Sequence, residues 1–308
     1  MIIGRLKELA SQIYWWIISV WISSPLNRDK YIVIEAYLTR SGFSFKKHNW
    51  GDDINKFMFE FVTHKRVFNI PFTVKNITPR KNTYSLIGSI LNFYNLDNKI
   101  IYGSGVIDPQ MEILGIPDNV ISVRGPKTRD LLLSKGICCP PKYGDPVLLL
   151  PIFYKGSRIK SEKVGFIINM GTNKPNTIIH KLSEKYELAI ISMTEYDVWT
   201  DVIDQIIECK FILSESLHGL IIAETYGIPN VWIECQDHPS YWNFKFEDYY
   251  ASIDKEESIL RLQYGVHFDR IDKKVCCWNK GKIDYDELLS LFPFDIECEN
   301  YGRFLNNE

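Results

Sequence analysis

Short apolar runs alternate with amphipathic stretches along most of this chain. The clearest example spans residues 211–234, where an apolar run at 211–213 precedes a helical stretch over 217–226 and a second apolar run at 231–233. Gly227 ends the predicted helix, and Pro229 leads into the second run. The pattern predicts a strand, a helix and a strand, which is the repeating unit of a parallel sheet.

The same alternation lies on both sides of a basic, polar stretch at residues 155–163. Further strands are predicted at residues 31–37, 85–90, 99–102, 121–123, 164–169 and 188–192, with helices at 56–62, 126–133, 178–185 and 198–209. This order favours an α/β protein of two doubly wound, Rossmann-like domains that face across a cleft, as in GT-B enzymes. We expect four segments: an apolar N-terminal helix at 1–24, a first domain at 25–155, a second domain at 156–265, and a C-terminal segment at 266–308 that packs back on the first domain.

The N-terminal apolar run, residues 13–22, contains three Trp and one Tyr. It is too short to span a bilayer, which takes about 20 apolar residues. Its aromatic rings suit a membrane interface, where such a helix would hold the protein at the inner face of the cytoplasmic membrane. A helix packed on the domain core is the alternative interpretation.

Composition narrows the class of protein. Of the 308 residues, 45% are hydrophobic and 24% charged, and the formal net charge of −2 gives no reason to expect a nucleic-acid partner. The seven cysteines form no CxxC pair, so neither a zinc site nor a disulfide framework is predicted, and their odd number favours a reducing, cytoplasmic compartment. We predict no metal and no cofactor.

Candidate chemistry begins where the strand at 211–213 ends. There Ser216 and Leu217 lead into His218, in the first turn of the predicted helix, where backbone N–H groups and the helix dipole favour an anion. In an open α/β sheet, ligands bind beyond the carboxyl ends of the strands. A histidine at this position is also consistent with capping or packing.

Two acidic residues precede an earlier helix. Asn49 stands before Gly51, Asp52 and Asp53, and either carboxylate could act as a base or accept hydrogen bonds from sugar hydroxyls. An ordinary helix cap would use the same residue types.

Two further strand ends carry anion-binding residue types. Gly103, Ser104 and Gly105 follow a strand and could present backbone amides to phosphate or carboxylate, although a tight turn accounts for the glycines equally well. Arg124 follows the next strand, where its planar guanidinium could hold an anion through two points. A surface ion pair is the alternative for Arg124.

Several of these motifs together resemble the polysaccharide pyruvyl transferase family, in particular its exopolysaccharide ketal pyruvyltransferase branch. The resemblance covers roughly residues 49–250 and rests on Asn-Trp-Gly-Asp at 49–52, Val-Arg at 123–124, Gly-Asp-Pro at 144–146, Ser-Leu-His-Gly at 216–219, Tyr-Gly-Ile-Pro-Asn at 226–230 and Phe-Lys-Phe at 244–246. The sequence departs from the family pattern at Gly125, where many members have Asp, and at Ser216, where many relatives have Arg.

The resemblance implies a bacterial, cytoplasmic transferase of capsule or exopolysaccharide biosynthesis. Its donor would be phosphoenolpyruvate, and its acceptor a sugar in a cell-surface glycan or in an undecaprenyl-diphosphate-linked oligosaccharide. The products would be a pyruvate ketal and phosphate. His218 would be the catalytic acid and Asp52 would assist the hydroxyl. Donor-binding residues would be Arg124, Lys245, Ser216, Leu217, Gly103, Ser104 and Gly105, and acceptor-binding residues would be Asp53, Asn49 and Tyr249.

Two other functions remain compatible with the sequence. A nucleotide-sugar glycosyltransferase of the same two-domain architecture would need a site for a base and a ribose, and no acidic ribose clamp stands out. A glycan-binding protein without catalysis would have little use for His, Arg and Lys at three separate strand or loop ends.

Overall fold

Two parallel sheets form the framework of the computed structural model, which describes residues 10, 13–18, 20–22, 24–27, 29–38, 46–70, 82–156, 159–168 and 176–298. Helices connect the strands, so the predicted α/β class is confirmed. The predicted N-terminal helix, linker and C-terminal segment each lie partly outside the described residues. Parallel sheets are covered on both faces, which accounts for the apolar runs seen in the sequence.

The first sheet has the strand order β2-β1-β3-β4-β5. Its strands are β1 (Tyr31–Ile34), β2 (Arg66–Asn69), β3 (Thr83–Ser85), β4 (Lys99–Tyr102) and β5 (Asn119–Ser122). The strand predicted at 85–90 is wrong, because β3 ends at Ser85 and Gly88 has a φ of 118°. Beyond β3, the backbone of Ile87 bonds to the side chain of Asn55 at 2.9 Å instead of to a neighbouring strand.

The second sheet has the order β10-β9-β8-β6-β7. Its strands are β6 (Val164–Ile167), β7 (Leu188–Ile191), β8 (Phe211–Ser214), β9 (Asn230–Glu234) and β10 (Leu260–Arg261). The two strands predicted on either side of Gly227 are confirmed as β8 and β9, and the chain pairs β8 with both β9 and β6.

Two of the helices begin at side-chain caps beside the site described below. The helices are α1 (Trp50–Thr63), α2 (Pro126–Ser134), α3 (Leu150–Phe153), α4 (Asn176–Ser183), α5 (Trp199–Glu208), α6 (Leu217–Thr225), α7 (Phe244–Ser252), α8 (Phe268–Cys276) and α9 (Tyr285–Ser290). The side chain of Asn49 caps α1 by accepting from the Gly51 amide, and Ser216 caps α6 by accepting from the Gly219 amide. Helix α6 is apolar on nearly every side, as expected of a helix buried between other elements.

One of the hydrophobic clusters spans both sheets. This cluster of buried side chains includes Ile32 of the first sheet and Ile212 of the second. Helix α1 is also bonded directly to the second half of the chain. The amide of Trp50 donates to the Met193 carbonyl and its indole N–H to the Trp199 carbonyl, both at 2.7 Å. These bonds fix the start of α1 against the second sheet.

The C-terminal segment packs on the first sheet. Phe292 stacks on Phe59 of α1 with ring centroids 5.8 Å apart, and Phe294 lies 4.7 Å from the ring of Tyr84 in β3. The Tyr102 hydroxyl donates to the carbonyl of Leu288 in α9 at 3.3 Å. The segment thus joins the end of the described chain to its first half.

Residues 13–18 and 20–22 are helical and lie against the outer side of the first sheet. Ile22 is buried beside Val33 and Phe68, and Trp15 meets Phe68 edge-on at 5.8 Å. None of the helices in the described part of the chain is long and apolar enough to cross a membrane.

Candidate functional site

The strand order places a cavity where the two sheets meet. Ligands of open α/β sheets bind at the carboxyl end of the sheet where the strand order reverses. The strand order reverses at β1 in the first sheet, where β1 lies between β2 and β3. In the second sheet it reverses at β6, which lies between β7 and β8. A cavity of about 360 Å³ lies there, lined by Tyr37, Asn49, Gly51, Asp52, Gly88, Ser89, Ile90, Phe93, Ile107, Ser216, Leu217, His218, Trp242 and Lys245.

His218 occupies the centre of this site, at the second position of α6. The backbone of Gly51 in α1 approaches it so closely that a Cβ on Gly51 would lie 2.1 Å from Nδ1 of His218. The Trp50 ring lies 6.4 Å away in an edge-on arrangement. The first turns of α1 and α6 therefore meet at the imidazole of His218, and only glycine at position 51 leaves room for the ring.

Asp145 is the nearest acidic partner of His218. Its Oδ2 lies 3.7 Å from Nε2 of His218, and its Oδ1 accepts a 3.0 Å hydrogen bond from the Val147 amide. Asp145 is 1% exposed, and Nε2 of His218 is buried without a hydrogen-bond partner among the described residues. The Gly-Asp-Pro motif at 144–146 had marked this position, but nothing in the sequence connected it to His218.

Asp52 and Lys245 both line the cavity, and their pKa values are shifted in opposite directions. Burial raises the pKa of Asp52 to about 7, with electrostatic interactions with His218 and Lys245 opposing the rise and that with Asp53 adding to it. Burial lowers the pKa of Lys245 to about 7, with Arg124 adding to the fall and Asp52 opposing it. Groups shifted towards neutral pH inside a cleft are typical of functional sites.

The ammonium group of Lys245 packs against aromatic side chains. Lys245 lies in the first turn of α7, and its ammonium is 3.6 Å from the centroid of the Trp242 ring. The Trp242 ring also stacks on His238, with centroids 5.3 Å apart and planes within 16°. The cation–π contact holds the ammonium at the cavity wall, where its charge interacts with that of Asp52.

Arg124 lies behind the cavity wall. Its guanidinium is 1% exposed, and it donates to Asp248 Oδ2 at 3.1 Å, to the Val106 carbonyl at 2.9 Å and to the Ser89 hydroxyl. Arg124 is absent from the cavity lining, whereas its partner Ser89 is part of it. The guanidinium therefore reaches the cavity through Ser89, and through Asp248 it reaches the helix that carries Lys245.

The turn at residues 103–105, which follows β4, makes room for buried side chains behind the cavity wall. A Cβ on Gly105 would lie 2.4 Å from Cζ of Arg124, and one on Gly103 would lie 2.3 Å from the Pro146 ring. Ser104 is fully buried. None of these three residues lines the cavity, so the turn gives space to Arg124 and to the Asp145 turn rather than presenting amides to the cavity.

The three predicted acceptor-binding residues are placed differently from one another. Asn49 lines the cavity, with its side-chain oxygen engaged as the cap of α1. Asp53 is buried and accepts from the Tyr196 hydroxyl at 2.6 Å and the His48 amide at 2.8 Å. Tyr249 is buried in the core, one turn beyond Lys245. Neither Asp53 nor Tyr249 has surface in the cavity.

The cavity thus brings together one imidazole, one carboxylate and one ammonium, from α6, α1 and α7. Ser216 and Leu217, which were predicted with them, also line it, at the N-terminus of α6. Among the residues that the structure describes, no group of three or more His, Cys, Asp or Glu side chains could hold a metal ion.

Comparisons with known proteins agree with the motifs. Residues 76–238 match the model of one protein family, described as polysaccharide pyruvyl transferase. The chain is also similar to an uncharacterized protein of Acanthamoeba polyphaga mimivirus, with 27% identity over 258 residues, which cover 82% of this chain and 83% of the relative. The matched family range contains Arg124, Asp145 and His218, and Asp52 and Lys245 lie outside it.

Proposed function

This chain belongs to the polysaccharide pyruvyl transferase family, and on that premise we propose that it transfers the pyruvate group of phosphoenolpyruvate to two hydroxyls of one sugar, forming a cyclic ketal and releasing phosphate. The acceptor sugar would belong to a cell-surface polysaccharide or to its lipid-linked precursor. The observation that carries the proposal is the meeting of His218, Asp52 and Lys245 in one cavity.

The donor combines a carboxylate and a phosphate, so its site needs fixed positive charge. Lys245 supplies an ammonium whose pKa is lowered by burial to about 7. A bound dianion would raise that pKa again and hold the ammonium charged. The N-terminus of α6 adds backbone N–H groups beside Ser216 and Leu217, where an anion is favoured. Arg124 contributes through Ser89, the residue that it positions at the cavity wall.

The difficult step is the addition of a proton to the methylene carbon of the donor. In our proposal protonated His218 gives this proton, and the neighbouring carbon becomes electrophilic enough for a sugar hydroxyl to attack. The carboxylate of Asp145, whose Oδ2 lies 3.7 Å from Nε2, stabilises the imidazolium electrostatically before transfer. Lys245 and the α6 N-terminus stabilise the negative charge that remains on the donor.

Asp52 takes the proton of the attacking hydroxyl. A base is most effective when its pKa is near the working pH, and burial raises the pKa of Asp52 to about 7. The adduct then carries a methyl, a carboxylate, a phosphate and one sugar oxygen on the same carbon. Phosphate leaves, the second hydroxyl attacks, and its proton goes to the departing phosphate. The proton that Asp52 took then passes through solvent to His218, which restores both groups, and the proton of the second hydroxyl leaves with phosphate.

A phosphate-release assay with phosphoenolpyruvate and a panel of lipid-linked oligosaccharides tests the proposal. We expect His218→Gln to abolish release while donor binding is largely retained, because the amide cannot give the proton. The matched control is His180→Gln, which changes an exposed histidine on α4. Undiminished release by His218→Gln would refute the acid role.

Ligand-dependent thermal stability separates this function from nucleotide-sugar glycosyl transfer. A ligand at one hundred times its dissociation constant stabilises the folded state by about 2.7 kcal/mol. We expect phosphoenolpyruvate to raise the melting temperature and UDP-sugars to leave it unchanged. The reverse result would favour a glycosyltransferase.

A further inference from the structure

Two partly exposed aromatic rings flank the outer side of the cavity. Tyr37 is 49% exposed and Phe93 is 43% exposed, and both belong to the cavity lining. Their ring centroids are 6.3 Å apart, with planes inclined at 42°. Exposed aromatic surface that opens onto a polar cleft is typical of a ligand-binding groove.

The position of this pair follows from the first sheet. Tyr37 comes after β1 and Phe93 after β3, the two strands at which the order of that sheet reverses. Asp52, on α1, lines the same cavity from the first half of the chain. The pair and the carboxylate therefore all come from the first half of the chain, and Oδ1 of Asp52 lies 3.9 Å from the position of a Cβ on Gly88, on the segment that leads to Phe93. His218 and Lys245 come from the second half.

The third aromatic residue of the lining, Trp242, is engaged differently. Its ring is covered by the Lys245 ammonium at 3.6 Å and by His238 at 5.3 Å. Trp242 therefore serves the cationic side of the cavity. Tyr37, whose ring also lies 6.2 Å from that of His48, and Phe93 supply the partly exposed aromatic surface that the first half of the chain contributes.

We propose that Tyr37 and Phe93 form the acceptor subsite, where a pyranose ring stacks its C–H face on the aromatic pair and turns its hydroxyls towards Asp52. This inference rests on the proposed function and assigns the acceptor side of the same cavity. A small dianionic donor has no apolar face for such rings, whereas a sugar presents one apolar face and a rim of hydroxyls. The pair takes the place of Tyr249, which is buried in the core.

Saturation-transfer NMR tests the subsite without turnover. The probes are methyl α-D-mannopyranoside, methyl β-D-glucopyranoside and methyl β-D-galactopyranoside, with irradiation of the aromatic protein protons. At least one probe should bind, and its ring protons should be saturated. Tyr37→Ala and Phe93→Ala should each weaken its binding about ten-fold, equivalent to about 1.4 kcal/mol. Tyr37→Phe should retain binding, because the ring and not the hydroxyl makes the contact.

Tyr264→Ala is the matched control, since Tyr264 is 70% exposed and absent from the cavity lining. Phosphoenolpyruvate binding, measured by thermal shift, should be unchanged in all of these variants. The subsite is overturned if no probe binds the wild-type protein, if the double alanine variant binds as well as the wild type, or if donor binding falls in parallel. Sugar binding that depends on the pair, in a protein that does not bind phosphoenolpyruvate, would support the subsite and refute the proposed function.

Discussion

Nδ1 of His218 lies against the backbone of Gly51, where a Cβ would come within 2.1 Å of it. This contact joins the first turn of α6 to the first turn of α1, which also carries Asp52. The acid and the base of the proposed reaction are therefore set at a fixed spacing by one glycine. The Asn-Trp-Gly-Asp motif thereby gains a structural reason for its third residue.

Gly51→Ala should reduce kcat by about 100-fold, because displacing a catalytic group by about 1 Å has an effect of that order. The added methyl would push the imidazole away from its position beside Asp145. Steady-state phosphate release checks the effect. Gly136→Ala is the control, since a Cβ there meets nothing within 4 Å although its φ is 76°. It should lose some stability and keep kcat, whereas an unchanged kcat in Gly51→Ala would contradict the steric argument.

Asp145→Asn should lower kcat by at least about ten-fold and leave the KM for phosphoenolpyruvate nearly unchanged, since a neutral amide cannot stabilise the imidazolium. The amide oxygen can still accept from the Val147 N–H, so the turn is preserved. Asp284→Asn provides a matched cap substitution, because Asp284 accepts from the Glu287 amide at the exposed start of α9. A rise in KM without loss of kcat would show that Asp145 acts on donor binding instead.

The buried Arg124–Asp248 ion pair should matter chiefly for stability. Removing one partner of a buried pair costs about 3 kcal/mol or more, because the other charge is left uncompensated. Arg124→Leu and Asp248→Leu should each lower the free energy of unfolding by that amount, as measured by denaturant titration. Lys127→Ala breaks the neighbouring exposed pair with Glu247, which joins α2 to α7, and should cost less than about 1 kcal/mol.

The KM for the donor distinguishes a positioning role of Arg124 from direct contact between Arg124 and phosphoenolpyruvate. If Arg124 acts by positioning, Arg124→Lys and Asp248→Asn should raise the KM for the donor to a similar extent, because both loosen α7 and Lys245. A large rise with Arg124→Lys alone would favour the direct contact predicted from the sequence.

Activity should follow a bell-shaped pH profile centred near pH 7. The pKa of Asp52 is raised to about 7, so its base form is gained as pH rises through that value. The pKa of Lys245 is lowered to about 7, so its ammonium is lost as pH rises through the same range. The pH dependence of kcat/KM for phosphoenolpyruvate reports the titration of these two groups in the free enzyme. Because the two groups interact, the apparent pKa values of the acidic and basic limbs describe the pair and not each residue alone.

Substitutions of Asp52 and Lys245 show which residue gives rise to each limb of the pH profile. Asp52→Asn should remove the acidic limb from the residual activity, and Lys245→Arg should move the basic limb upward, because arginine stays protonated. Saturation with donor should also move the basic limb upward, since a bound dianion raises the pKa of Lys245. A profile that keeps both limbs in Asp52→Asn would refute its role as the base.

The N-terminal helix should bind anionic membranes. Ile13, Tyr14, Ile17, Val20 and Trp21 are each 43% to 56% exposed, whereas Ile22 packs on the first sheet. Aromatic and aliphatic side chains on one face suit the lipid interface.

Sedimentation with vesicles of phosphatidylglycerol and phosphatidylethanolamine tests this surface. Ile17→Glu with Trp21→Glu should abolish binding, and Ile116→Glu, at an exposed position elsewhere, should not. Equal sedimentation of all variants would favour a helix that only covers the core.

Local sequence pattern predicted the elements better than it predicted the site. The unit from β8 to β9 was correct, because a short apolar run, a capping serine and a glycine stop all lie within one stretch of chain. The partners of Arg124 could not be predicted, since Asp248 belongs to another helix and burial depends on how the helices pack. Tyr249 shows the same limit. It is one turn from Lys245, yet it faces the core while Lys245 faces the cavity.

The contacts of Leu288 and Phe292 have a consequence for synthesis of the protein. Leu288 would clash with a Cβ on Gly144, next to Asp145, and Phe292 stacks on the helix that carries Asp52. The residues that brace the reactive carboxylates are thus translated long after them. A nascent chain halted before residue 285 would contain every proposed catalytic group. We expect it to have no activity until residues 285–294 have been synthesised and have packed on α1 and on the Asp145 turn.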